Sequence, residues 1–273
     1  SVTSQGTTIH RSSVWNTRGY TGTGVKVGVI DIGFSGYSAL IGSEVPSTVN
    51  ARCYTAIGFF SSDLSFCEVG GVHGTAVAEA IVDIAPGVSL YVSNPQSLGD
   101  LQSTAAWMIS EGVQVINMSL AWRWDGSGDG TSLYTESPLN TVNSTVADGV
   151  IWVNAAGNFA ESSWYGIYLD SDSDGWLEFG HSSRIHNKIS LSAGSLVTVQ
   201  LRWNDEWGSA DSDLNLDLYS WNGWNWIKET GSTDVQDGGP GQDPYEVISY
   251  LVTATSDYYI FVRHSSGLAP EWF

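Results

Sequence analysis

The stretch Val25-Lys26-Val27-Gly28-Val29-Ile30-Asp31-Ile32-Gly33 is a short apolar run that ends on a carboxylate and a glycine. The turn Thr21-Gly22-Thr23-Gly24 leads into it. Short apolar runs bounded by glycines read as strands buried on both faces of a parallel sheet. Asp31 then falls at the strand's carboxyl end, the edge of an open α/β sheet where sites form. A carboxylate buried there alone would be costly, so it needs a partner; otherwise it caps the segment Phe34 to Leu40.

A partner is available in Val72-His73-Gly74-Thr75-Ala76-Val77-Ala78-Glu79. His73 opens a small-residue helix that Pro86-Gly87 stops. Thr75 is expected to cap its first turn. An imidazole at a rigid helix start suits a proton-transferring base, and a structural hydrogen bond is the plainer use. Ser89 to Ser93, Gln114 to Leu120 and Gly149 to Asn154 read as further strands. Helical spacing of Leu98, Leu101, Ala105, Met108 and Ile109, and of Val142, Val146 and Ala147, fills the gaps. Strand and helix alternate, which implies an α/β fold with a parallel sheet and helices on both faces. This α/β domain is expected over residues 1–160.

The pattern changes near Ala160. Over 161–273 apolar and polar residues alternate at period two, as in Ser195 to Trp203, Asp213 to Tyr219, Tyr245 to Thr253 and Asp257 to Arg263. These read as strands of an antiparallel β-sandwich, with the leucines of 213–219 on one face and the polar residues on the other. Its many tryptophans fit large core side chains, and also a carbohydrate-binding surface. Asp170-Ser171-Asp172-Ser173-Asp174-Gly175 sets carboxylates at alternating positions before a glycine, the pattern of a calcium loop. Asp170, Asp172, Asp174 and Glu178 are the candidate ligands. His181 stands where the bidentate glutamate of an EF-hand would be. A solvated acidic turn is the alternative.

The 273 residues carry 29 acidic and 10 basic side chains, a formal charge of −19, which argues against nucleic acid as a partner. No apolar run is long enough to span a membrane. Cys53 and Cys67 flank a short Gly/Phe/Ser segment. One disulfide there would place the protein in an oxidising compartment, whereas two buried thiols would not.

Asp31, His73 and Asn158 share strand ends or the residues just after them. An Asp can orient an imidazole, a His can act as base then acid, and an Asn amide can donate to an oxyanion. Gly24 to Gly33, His73-Gly74-Thr75, Ile116-Asn117-Met118-Ser119-Leu120 and Ala155-Ala156-Gly157-Asn158 together resemble the subtilisin-like serine proteases, in the order of that family. The resemblance implies that Asp31 and His73 are triad members and Asn158 the oxyanion donor. It also implies that Ser119, Leu120 and Ala121 form the strand edge that pairs with an extended peptide or protein substrate.

Two departures stand out. Ile32 replaces the Thr or Ser usual after the Asp. The Gly-Thr-Ser-x-Ala-x-Pro segment of the nucleophile has no match after Asn158. Gly130-Thr131-Ser132 imitates it, but precedes Asn158, with Tyr134 where a small residue is needed, so Ser132 is expected near a helix N-cap. The resemblance therefore implies a chain that stops before its catalytic serine, a β-sandwich inserted ahead of a missing C-terminal segment, and no activity alone. It implies a secreted or cell-surface endopeptidase. The alternative is a pseudoprotease whose sandwich binds calcium, glycan or protein.

Overall fold

The computed structural model describes residues 3–122, 125–159, 162–180 and 184–273. They fall into two compact units, Ser1–Asn158 and Phe159–Phe273. The expected boundary at 160/161 lies on residues outside the described set.

In the first unit, two short helices, α1 (Gly6–Ile9) and α2 (Ser12–Asn16), precede strand β1 (Lys26–Ile30). Then come β2 (Val49–Tyr54), β3 (Phe60–Ser61), α3 (His73–Ile84), β4 (Ser89–Ser93), α4 (Leu98–Ser110), β5 (Val115–Met118), α5 (Pro138–Ala147) and β6 (Ile151–Asn154). The six strands lie in the order β3-β2-β4-β1-β5-β6. β1 runs parallel to β4 and β5, β2 to β4, and β5 to β6, while β3 folds back antiparallel on β2. The carboxyl ends of β2, β4, β1, β5 and β6 therefore share one edge.

Side chains alternate across this sheet. Val27 and Val29 join Ala78 of α3 in one buried cluster, and Ile30 and Ile116 join Leu101 and Met108 of α4 in another. Fully burying a residue such as Leu101 contributes roughly 1.5–3 kcal/mol. α4 presses so closely on β1 that a Cβ on Gly28 would lie 2.4 Å from the Met108 sulfur. The terminal strand β6 leaves Ile151 63 % and Val153 48 % exposed.

In this unit the sequence announced neither β2, whose apolar pattern Asn50 and Arg52 break, nor the two-residue β3. The helix caps also differ from expectation. Ser97 and Ser137 cap α4 and α5 by accepting from Asp100 N and Leu139 N. Ser132, expected near a cap, instead donates to Asp125 O at 2.6 Å and accepts from Tyr134 N. Thr75 does not cap α3: its hydroxyl donates to Ser35 O at 3.1 Å. α3 has no side-chain cap, and Gly74 N donates instead to Gly33 O at 3.0 Å, docking the helix start onto the turn after β1.

The named strands of the second unit pair antiparallel. β7 (Asn187–Leu191), β9 (Asp213–Trp221), β10 (Trp226–Ser232) and β12 (Ser256–Ser266) form a sheet in the order β10-β9-β12-β7, and β8 (Leu196–Arg202) pairs with β11 (Tyr245–Leu251). Leu214, Leu216 and Leu218 meet Leu201, Trp203, Ile248 and Val262 in one core. The leucine face is where the alternation put it. The opposite face is less wet than expected, since Asp213 and Asp217 are buried and Asp217 pairs with Lys228 at 2.6 Å.

Candidate active site

β1 delivers Asp31 to the shared carboxyl edge, fully buried. Its backbone N–H donates to Ser93 O at 3.1 Å, which continues the β1–β4 ladder one residue past the strand. One carboxylate oxygen accepts from Ile32 N at 2.9 Å, and the other lies 2.8 Å from Nδ1 of His73. Ile32 offers no hydroxyl here, so the neighbouring backbone N–H satisfies the carboxylate.

His73 is the first residue of α3, and 58 % of its side chain is exposed. Gly74 makes the approach possible. A Cβ there would stand 2.7 Å from Gly33 O, 2.8 Å from Asp31 Cβ and 2.8 Å from the Phe34 ring. With Nδ1–H donated to the buried carboxylate, Nε2 carries the free lone pair and is the basic nitrogen. Among the described residues, Asp31 is the hydrogen-bond partner of this imidazole, and no serine bonds to it.

The other expected residues lie along the same edge. Ser119, Leu120 and Ala121 follow β5 as irregular chain, and Ser119 Oγ accepts from Asn117 Nδ2 at 3.0 Å. Among the described residues, the backbone groups of 119–121 make no backbone hydrogen bond. Asn158 is exposed in a bend after β6. The structure thus joins Asp31 to His73 and places Asn158 and 119–121 beyond neighbouring strands, with no hydrogen bond to that pair among the described residues.

One group behind the site went unread. Asn94, just past β4, is fully buried. Its carbonyl accepts from Tyr54 N at 2.7 Å, and its amide donates to Tyr54 O and Phe66 O at 3.4 and 3.3 Å. It ties β2 to the loop that Cys53 and Cys67 close by a disulfide, with Cα atoms 4.9 Å apart. The next residue segment, Cys67 to Gly71, runs beside Phe34 and Ser35, bonding Phe34 N and Ser35 N through Cys67 O and Gly71 O. A polar residue directly before Pro95, at a strand's carboxyl end, was the available signal.

In the second unit, carboxylate oxygens of Asp170, Asp172 and Asp174 lie within 4.8 Å of one another. They accept from backbone N–H groups of their own turn: Asp170 from Asp174 N and Gly175 N, Asp174 from Trp176 N. Such oxygens are hard ligands, suited to calcium. Glu178 is not in that group; it is buried, with the Ser171 hydroxyl 2.6 Å from both carboxylate oxygens. His181 lies outside the described residues.

The first unit is thus a parallel α/β domain with a buried acid and an exposed imidazole at its carboxyl edge. The chain belongs to the subtilase family, whose sequence profile matches residues 22–207. It is 34 % identical to subtilisin E of Bacillus subtilis over 162 residues, which cover 54 % of this chain and 38 % of that protein. Alkaline elastase YaB of a Bacillus species is 29 % identical over 163 residues, 54 % of this chain and 38 % of the relative. Subtilisin DY of Bacillus licheniformis is 29 % identical over 192 residues, 64 % of this chain and 63 % of the relative. The chain thus spans less than two thirds of the length of these relatives. The family supports a serine protease domain.

Proposed function

We propose that this chain supplies the acid–base half of an endopeptidase that hydrolyses peptide bonds through an acyl-enzyme. The observation that carries this reading is the 2.8 Å contact between His73 Nδ1 and the buried Asp31 carboxylate. Asp31 holds the Nδ1–H tautomer and stabilises the imidazolium that forms. His73 Nε2 takes the proton of a serine hydroxyl as it attacks the scissile carbonyl, then returns a proton to the leaving amine. Asn158 donates its amide N–H to the oxyanion. The backbone groups of 119–121 pair with the substrate as an added strand.

The nucleophile in this reading is a serine outside these 273 residues; Ser132, which imitates the motif, donates its hydroxyl to Asp125 O within its own loop. Residues 1–273 alone are then inactive; loss of a nucleophile costs about six orders of magnitude in such enzymes. Asp170, Asp172 and Asp174 bind a structural calcium ion. The disulfide supports an extracellular or cell-surface location.

A fluorophosphonate probe on native-source material, read by intact mass, tests the catalytic reading. The expected result is an adduct on a longer chain, or on a co-purifying second chain. An adduct on purified 1–273 would place the nucleophile among these residues. No adduct in any form would favour a non-catalytic relative of the family.

A further inference from the structure

The outward face of the β10-β9-β12-β7 sheet carries a cluster of aromatic rings that the protease chemistry does not use. The strand registers put Tyr219 and Trp221 of β9, Trp226 of β10, and Tyr259 and Phe261 of β12 on this face, opposite the leucine core. Trp226 is its centre. Its ring centroid lies 4.9 Å from Trp221, 4.8 Å from Tyr259 and 5.2 Å from Phe261. His186 packs against the same rings, 5.4 Å from Trp226 and 5.0 Å from Tyr259. Phe261 is buried beneath them, yet Trp221 and Trp226 keep 43 % and 40 % of their surface in solvent. Their rings are thus already fixed by neighbours, so little side-chain entropy remains to be lost on binding.

The occupant follows from the rest of the face. Among the described residues, no outward position of these four strands carries Leu, Ile, Val or Met. A protein partner would find no aliphatic side chains to interlock with. The charges cancel locally: Lys188 Nζ pairs with Asp257 at 3.0 Å and Lys228 Nζ with Asp217 at 2.6 Å. In a chain of formal charge −19, this face is neutral and suits an uncharged ligand. Flat rings edged by ammonium, carboxylate and hydroxyl groups complement a pyranose, which has an apolar C–H face and a rim of hydroxyls.

We propose that this face binds a neutral polysaccharide, with sugar rings stacked on Trp221 and Trp226 and hydroxyls bonded by the exposed Lys188–Asp257 pair and by Lys228, whose charge the buried Asp217 balances. This does not depend on the catalytic reading. The test is titration of residues 1–273 with cellohexaose, chitohexaose and laminarihexaose, followed by calorimetry and tryptophan fluorescence. At least one hexamer is expected to bind saturably. Trp226→Ala and Trp221→Ala are each expected to weaken it tenfold or more, while Leu196→Ala, on β8 of the other sheet, leaves it unchanged. Should Trp226→Ala fail to fold, the more exposed Trp221 carries the comparison. Failure of the folded chain to bind any hexamer at millimolar concentration overturns the proposal. So does binding that a folded tryptophan variant leaves intact, or saturation by casein without any by sugar.

Discussion

Asp31 is wholly inside the protein, while His73, 2.8 Å from it, holds more than half of its side chain in solvent. A buried acceptor and an exposed ring fix which nitrogen keeps its proton. At a pH where the imidazole is neutral, ¹⁵N NMR of 1–273 should show Nδ1 protonated and Nε2 bare. Asp31→Asn should abolish that preference. A native ring protonated at Nε2 would contradict the assignment of Nε2 as the base.

Gly74→Ala should damage the same pair without replacing either partner. The added methyl has backbone at Gly33, the Asp31 side chain and the Phe34 ring all closer than 3 Å. Overpacking of this kind costs typically 1–3 kcal/mol. The expected readout is a lower Tm together with loss of the His73 tautomer preference. A Tm equal to wild type would mean that α3 is free to shift.

Asn94→Ala should destabilise the first unit by about 1–3 kcal/mol, because Tyr54 N–H and two carbonyls lose their partner in the interior. Replacing both cysteines by serine should cost on the order of 3 kcal/mol for a loop of this length. Both changes act on one loop, so the combined loss, by urea denaturation, should depart from the sum of the two.

Glu246 should make the second unit weaken as pH rises. It is buried, and burial pushes its carboxyl pKa up to about 7, with hydrogen bonds from Ser232 and Gln236 offsetting part of that. An unfolded chain loses this proton near the ordinary value of 4.5, whereas the folded chain keeps it until about 7. In that window the unfolded state binds fewer protons, so stability is full below about 4.5, falls as pH rises to about 7, and changes no further through this group above that. The loss is a few kcal/mol at most. Glu246→Gln should flatten this part of the stability–pH curve; an unchanged slope would assign it to other groups.

Calcium should raise the Tm of the second unit if Asp170, Asp172 and Asp174 hold the ion. Asp172→Asn should reduce the shift. A thermal scan that is the same with millimolar calcium and with chelator would leave this loop an acidic turn.

Much of this was legible because a buried parallel strand writes a plain signature. Val25 to Ile30 could be read as β1, and its position made Asp31 a strand-end carboxylate before any partner was known. β2 and Asn94 were illegible for related reasons. A strand near the sheet edge keeps polar residues such as Asn50, and a buried amide gains meaning only from the three backbone groups that converge on it. Thr75 shows the limit of cap rules: a Gly33 carbonyl brought in by tertiary packing met the helix start instead. The tryptophans divided. Trp203 went to the core as large side chains do, and Trp221 and Trp226 faced outward because period-two alternation alone does not say which face is inside.

Among the described residues, β6 closes the first unit's sheet with Ile151 and Val153 exposed and one ladder edge unpaired. A short strand in that state is a template for a like strand from another molecule. Residues 1–273 handled alone should therefore associate as concentration rises. Light scattering should grow with concentration, and Val153→Lys should suppress it while leaving the Asp31–His73 contact intact. Storage behaviour, and not only catalysis, is thus set at the rim of this sheet.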